Sequence, residues 1–212
     1  MTIVVVTGTG TGIGKTWVTA QLAAALRRHG LAVAARKPVQ SFAPDDDAPT
    51  DADQLGEATG EAPQTVCPAH RWLPRAMAPP MAAAVLGAAP FTIAELAAEI
   101  SGGRPNNAIV LVESAGGVRS PLASDGDTVS LADALRPARV ILVADAELGT
   151  INLVRMSAHA LHGHPVLVYL NRFDADNELH DRNRDWLVTR EGLEVVTNPE
   201  ALENAVQVLA AT

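Results

Sequence analysis

From Gly8 to Thr16 the chain reads Gly-Thr-Gly-Thr-Gly-Ile-Gly-Lys-Thr, with glycine at positions 8, 10, 12 and 14 ahead of a lysine and a hydroxyl. Residue types in this order suit the holding of phosphate. Glycines let backbone N–H groups turn toward one centre, and a helix beginning at Lys15 adds the positive end of its dipole. Lys15 then reaches β- and γ-phosphates while the Thr16 hydroxyl coordinates Mg2+. Five residues rather than four separate Gly8 from Gly14, and Thr9 takes the place of the usual first glycine, so the loop is a variant of the common pattern. A glycine-rich turn with an incidental lysine is the bland alternative. The apolar strand before the loop and the helical pattern after it argue against that.

Other candidate groups stand where apolar runs stop. Lys37 follows Leu31–Arg36, a strand expected to lie beside the first, and Pro38 blocks its continuation into a helix. A cation there faces the phosphate site from the opposite side; Arg36 reads as well as a surface charge. Glu113 closes the run AIVLVE, and such a carboxylate either meets Mg2+ in nucleoside triphosphatases or caps a helix. Asp51, at a predicted helix start, offers a second metal oxygen, and Gly116 and Gly117 let backbone approach a ligand. The run ELGTIN, Glu147 to Asn152, leads into a helix whose free N–H groups suit a carboxylate, although ordinary capping explains it equally. Asn171 carries the donor and acceptor of an adenine edge. His159, His162 and His164 straddle a helix end and read as a turn rather than a metal site, and Cys67 reads as a core thiol.

The elements that must position these groups follow from hydrophobic patterning. Ile3–Thr7, Leu31–Arg36, Ala108–Glu113, Arg139–Asp145, Pro165–Asn171 and Leu193–Thr197 are short apolar runs without polar alternation, as expected of parallel strands covered on both faces. Helical patterns alternate with them at Lys15–His29, Asp51–Thr59, Pro80–Gly87, Thr92–Ser101, Ile151–His162, Asn177–Thr189 and Pro199–Ala210. The expectation is a single α/β domain over residues 1–212, a parallel sheet with helices on both faces, of the P-loop nucleoside triphosphatase kind. Of 212 residues 48% are hydrophobic, enough for one well-buried core, and no linker divides the chain. A net charge of -8 argues against a nucleic-acid footprint. Asp45-Asp46-Asp47 reads as a surface loop. One cysteine excludes an internal disulfide, and with no signal peptide or membrane-spanning run a cytoplasmic protein is expected.

The motifs VTGTGTGIGKT, RKPVQS, LVESAGGVRSPL and ELGTIN, in that order and spacing, resemble the dethiobiotin synthetases of biotin biosynthesis over residues 2 to about 171. The resemblance implies a homodimer with its sites at the subunit interface. It implies that 7,8-diaminopelargonate, CO2 and ATP become dethiobiotin, ADP and phosphate with Mg2+. On that pattern Gly12, Ile13, Gly14, Lys15 and Thr16 wrap the nucleotide phosphates, and Thr16, Asp51 and Glu113 hold the metal. Asp51 is preferred to Asp53 because of the local pattern DADQL. Thr11, Lys15, Lys37 and Ser41 surround the diamine and its carbamate. Gly149, Thr150, Ile151 and Asn152 of the other subunit bind the substrate carboxylate, and Asn171 reads the base. The chain departs from the family at Ser114, where glycine is usual, at Gly10 and Gly12, where polar or acidic residues are common, and after Asn171. The competing class is the chromosome-partitioning ATPase, a nucleotide-dependent dimer switch. Its lysine near the start of the loop is absent here, and so is a basic or amphipathic tail.

Overall fold

The run Thr2-Ile-Val-Val-Val-Thr-Gly8 is β-branched almost throughout, and such side chains pack well on a pleated surface covered on both sides. In the computed structural model, which describes residues 2–45, 47–102 and 108–210, this run is the central strand. Asp46 of the expected aspartate loop lies outside the described residues; Asp45 and Asp47 are exposed. The strands are β1 (Thr2–Gly8), β2 (Val33–Arg36), β3 (Gln40–Ser41), β4 (Trp72–Leu73), β5 (Ile109–Glu113), β6 (Arg139–Asp145), β7 (Val166–Asn171) and β8 (Glu194–Val196). The helices are α1 (Lys15–Arg28), α2 (Asp51–Thr59), α3 (Pro63–Val66), α4 (Pro79–Val85), α5 (Ile93–Gly102), α6 (Thr128–Leu135), α7 (Thr150–Ala160), α8 (Glu178–Thr189) and α9 (Pro199–Ala210).

Six strands form one parallel sheet in the order β2-β5-β1-β6-β7-β8. Side-chain alternation divides β1 between two cores. Ile3 and Val5 face a layer containing Leu96 of α5, Leu131 of α6, Val154 of α7 and Leu187 of α8. Val4 and Val6 face Val18, Leu22 and Leu26 of α1 and Leu202 and Val206 of α9. The spacing of Val18, Leu22 and Leu26 is the i, i+4, i+8 stripe of a helix lying on a sheet. Ala52 and Leu55 of α2 close a third cluster over Ala35. Helices therefore cover both faces, as expected.

Two expectations are corrected. The strand that ends at Arg36 does not lie beside β1, because β5 enters between them and pairs with both. A parallel crossover need not return to the adjacent position. Arg36 is not a surface charge: it is buried, 2.8 Å from Glu61 Oε1. Helices α3 and α6 and the two-residue ladder of β3 with β4 were not anticipated.

Candidate active site

The site is assembled at the carboxyl ends of β1, β2 and β5, where the loops into the helices begin. Gly12 and Gly14 have φ of +75° and +90°, values that favour glycine. At Gly14 a Cβ would also stand 2.3 Å from the Asn171 amide nitrogen, so any side chain there collides. Gly14 is the N-cap of α1 and offers no side-chain cap, which leaves the first N–H groups of the helix free for a ligand. Gly149 starts α7 in the same way, with φ +95° and no side-chain cap. By contrast α2, α6 and α8 are capped by Thr50, Asp127 and Asn177 side chains.

Thr16 follows Lys15 on the first turn of α1, and its hydroxyl oxygen lies 2.8 Å from Asp51 Oδ1 and 2.9 Å from Glu113 Oε1. A hydroxyl has one proton, so it serves only one of these carboxylates at a time. Lys37, at the end of β2, supplies the missing positive charge: its Nζ is 2.6 Å from Asp51 Oδ2 and 2.7 Å from Glu113 Oε1. Burial works against the Lys37 ammonium, but Glu113 and Asp51 outweigh it and raise its pKa above the ordinary lysine value. The Asp51 carboxyl is likewise opposed by burial, yet Lys37 and Thr16 hold it below the usual range. Among the described residues no carboxylate pairs with Lys15 in this way. Its Nζ folds back onto the Gly10 carbonyl at 2.8 Å, and burial, then repulsion from Lys37, lowers its pKa to about 8.

These oxygens fit a small hard cation. Glu113 Oε2 is buried with no hydrogen-bond partner among the described residues, and the donors Thr16, Asp51 and Glu113 are all oxygen. Asp51 rather than Asp53 faces this point, because Asp53 is used in a capping box with Thr50: Thr50 N donates to Asp53 Oδ2 at 2.9 Å.

A cleft of about 670 Å³ opens over the loop, lined among others by Thr11, Gly12, Gly14, Lys15, Thr16, Lys37, Ser41 and Asp51. Ile13, Glu113 and Gly149 to Asn152 are not part of this lining. Ser41 Oγ donates to Met77 O at 2.6 Å. Asn171 sits beneath the loop, its amide nitrogen donating to Ile13 O at 2.8 Å. Ser114 is accommodated without disturbing the strand end, with its Oγ 3.0 Å from Thr7 Oγ1 and its N–H on Val6 O. Cys67 is buried, and burial pushes its thiol up to about 12, as befits an inert core group.

Three residues at the site had not been singled out. Gln40 is buried and its Oε1 accepts from Ala52 N at 3.0 Å, tying the start of β3 to the start of α2 and so setting Asp51. The motif RKPVQS already contained it. Trp17 lines the mouth of the cleft with a half-exposed indole. Arg172 touches the loop, and its place after Asn171 at a strand end was the only signal.

A parallel sheet, a glycine-rich loop on the first strand and a lysine-hydroxyl pair at the helix start define the class of P-loop nucleotide-binding proteins. A family model described as an AAA domain matches residues 2–207. An ATP-dependent dethiobiotin synthetase of Mycolicibacterium vanbaalenii is 40% identical over 161 residues, covering 76% of this chain and 69% of the relative. One from Mycobacteroides abscessus is 35% identical over 199 residues, covering 92% and 85%. Among solved structures, a plasmid partition protein from Borrelia burgdorferi matches with a TM-score of 0.60 over 98% of this chain and 97% of that one, at 12% identity. That likeness is one of fold. The chain belongs to the dethiobiotin synthetase family and is an ATP-dependent ligase.

Proposed function

We propose that residues 1–212 act as one synthetase domain that carboxylates 7,8-diaminopelargonate with CO2 and closes the cyclic urea of dethiobiotin, consuming ATP. The observation that carries this reading is the convergence of Lys15, Lys37 and Asp51 on one cleft over the phosphate loop, with buried Glu113 paired to Lys37. In this scheme one amine of the substrate captures CO2 as a carbamate. A carbamate oxygen attacks the γ-phosphorus and ADP departs, leaving a carbamic-phosphoric anhydride. The second amine then attacks the carbamoyl carbon and phosphate leaves as the ring closes. Negative charge gathers between carbamate and phosphoryl group throughout, and Lys15 and Lys37 are set to stabilise it from two sides; one preorganised partner of this kind is typically worth on the order of 3 kcal/mol. Thr11 and Ser41 position the diamine, and orientation supplies much of the remaining acceleration.

Gly12, Ile13, Gly14, Lys15 and Thr16 hold the triphosphate, and Asn171 contributes to the base site while bracing Gly14. Thr16, Asp51 and Glu113 would hold Mg2+, which when bound neutralises phosphate charge. The carboxylate of the diamine is received by Gly149, Thr150, Ile151 and Asn152 of a second copy, in keeping with their place outside this chain's own cleft. Exposed Leu148, Leu153 and Met156 beside them form the apolar face of that homodimer. The setting is the cytoplasm; among the described residues no helix is long and apolar enough to cross a membrane. The purified protein is expected to release ADP only when ATP, Mg2+, bicarbonate and the diamine are all present. Brisk ATP hydrolysis without the diamine, stimulated by DNA or lipid, would support the partitioning class instead.

A further inference from the structure

Successive side chains of an extended strand leave on opposite faces. At the end of β7 that rule is broken by Arg172, whose φ of 56° lies in the left-handed region, uncommon for a residue other than glycine and found at functional sites. The turn sends two neighbours to one target. Asn171 donates to Ile13 O at 2.8 Å, and Arg172 Nη2 donates to Gly12 O at 3.1 Å. The other arm of the guanidinium, Nη1, is held at 2.7 Å by Asp145 Oδ2 at the end of neighbouring β6. In a trans peptide plane the carbonyl and the next N–H point in opposite directions. Tying the carbonyls of Gly12 and Ile13 on the outside therefore aims the N–H groups of Ile13 and Gly14 inward, at the place for phosphate.

We propose that Arg172, held by Asp145, is a positioning residue that fixes the donor array of the phosphate loop before the nucleotide arrives. The inference rests on the nucleotide-binding reading of that loop. Lysine cannot replace the arginine fully, because an ammonium lacks the planar fork that spans carbonyl and carboxylate together.

The test compares wild type with Arg172→Gly, which keeps a left-handed backbone without the side chain, with Arg172→Lys and with Asp145→Asn. Calorimetry with ADP should show affinity about ten- to hundredfold weaker for the glycine variant, the range for loss of a charged hydrogen bond, and smaller losses for the other two. In turnover, the KM for ATP should rise by more than kcat falls. In nucleotide-free protein, the order parameters of the Thr11, Ile13 and Gly14 amides should fall below about 0.6 in Arg172→Gly, while β1 amides stay near about 0.85. ADP affinity within about twofold of wild type, with loop order parameters unaltered, would overturn the proposal. Failure of the wild-type protein itself to bind ADP counts against the nucleotide reading, and the nucleotide-free order parameters then decide the clamp alone.

Discussion

Lys37 and Lys15 enter one cleft in opposite electrostatic states, and each state has a consequence. Lys37 is neutralised by Asp51 and Glu113, so it can meet a new anion only when those carboxylates turn to another cation. Lys37→Ala should keep ADP binding and lower dethiobiotin formation by about a hundredfold or more, measured as product mass; an unchanged yield would remove Lys37 from the chemistry. Lys15 is charged at neutral pH at a cost, since burial and Lys37 depress its pKa from 10.5 to about 8. Between these two values the unfolded chain binds more protons than the folded one, so this group adds stability as pH rises through that window. Lys15→Met should be more stable than wild type at neutral pH, and its advantage should shrink toward pH 10. Urea denaturation of both proteins across that range checks the sign; an advantage that grows with pH contradicts the reading.

At the scale of elements, the site depends on how two helices begin. α1 opens on a left-handed glycine packed against Asn171, and α2 opens on the Thr50–Asp53 capping box that presents Asp51. Gly14→Ala should abolish measurable ADP binding, because the new methyl meets Asn171 and the backbone there disfavours any side chain; retained affinity would show that the loop relaxes. Thr50→Ala should cost about 1 kcal/mol, or about 2–4 °C in melting temperature for a chain of this size. The six sheet strands and the phosphate loop were legible because continuous Val/Ile/Leu runs and spaced glycines are strong local signals. β3 and β4 were not, since two residues have no periodicity. α6 is eight residues opening on Thr-Val-Ser, weak helix formers, and only the Asp127 cap marks it. Nor did local pattern reveal that β5 separates β2 from β1 or that Arg36 is buried, for both depend on partners far along the chain: Glu61 holds Arg36 from α2's end. Asp51 was singled out on its sequence context; what sets it apart from Asp53 is the cap that occupies the latter.

For the whole molecule, the start of α7 lies outside this chain's own cleft, and the proposed scheme therefore has a second copy supply it. Leu153 and Met156 on the exposed side of α7 are the groups such an assembly would cover. Leu153→Asp should yield a monomer by sedimentation and lose diamine-dependent turnover together; a fully active monomer would refute the shared site. The central claim, that carbamate and triphosphate meet between the two lysines, is tested most directly by following an oxygen. If the carbamate attacks the γ-phosphorus and phosphate then leaves on ring closure, one oxygen of the CO2 departs in the phosphate. With 18O-labelled bicarbonate, ATP, Mg2+ and the diamine, mass spectrometry should find one 18O in each phosphate released alongside dethiobiotin. Phosphate carrying no label from bicarbonate, and oxygen from labelled water instead, would contradict it.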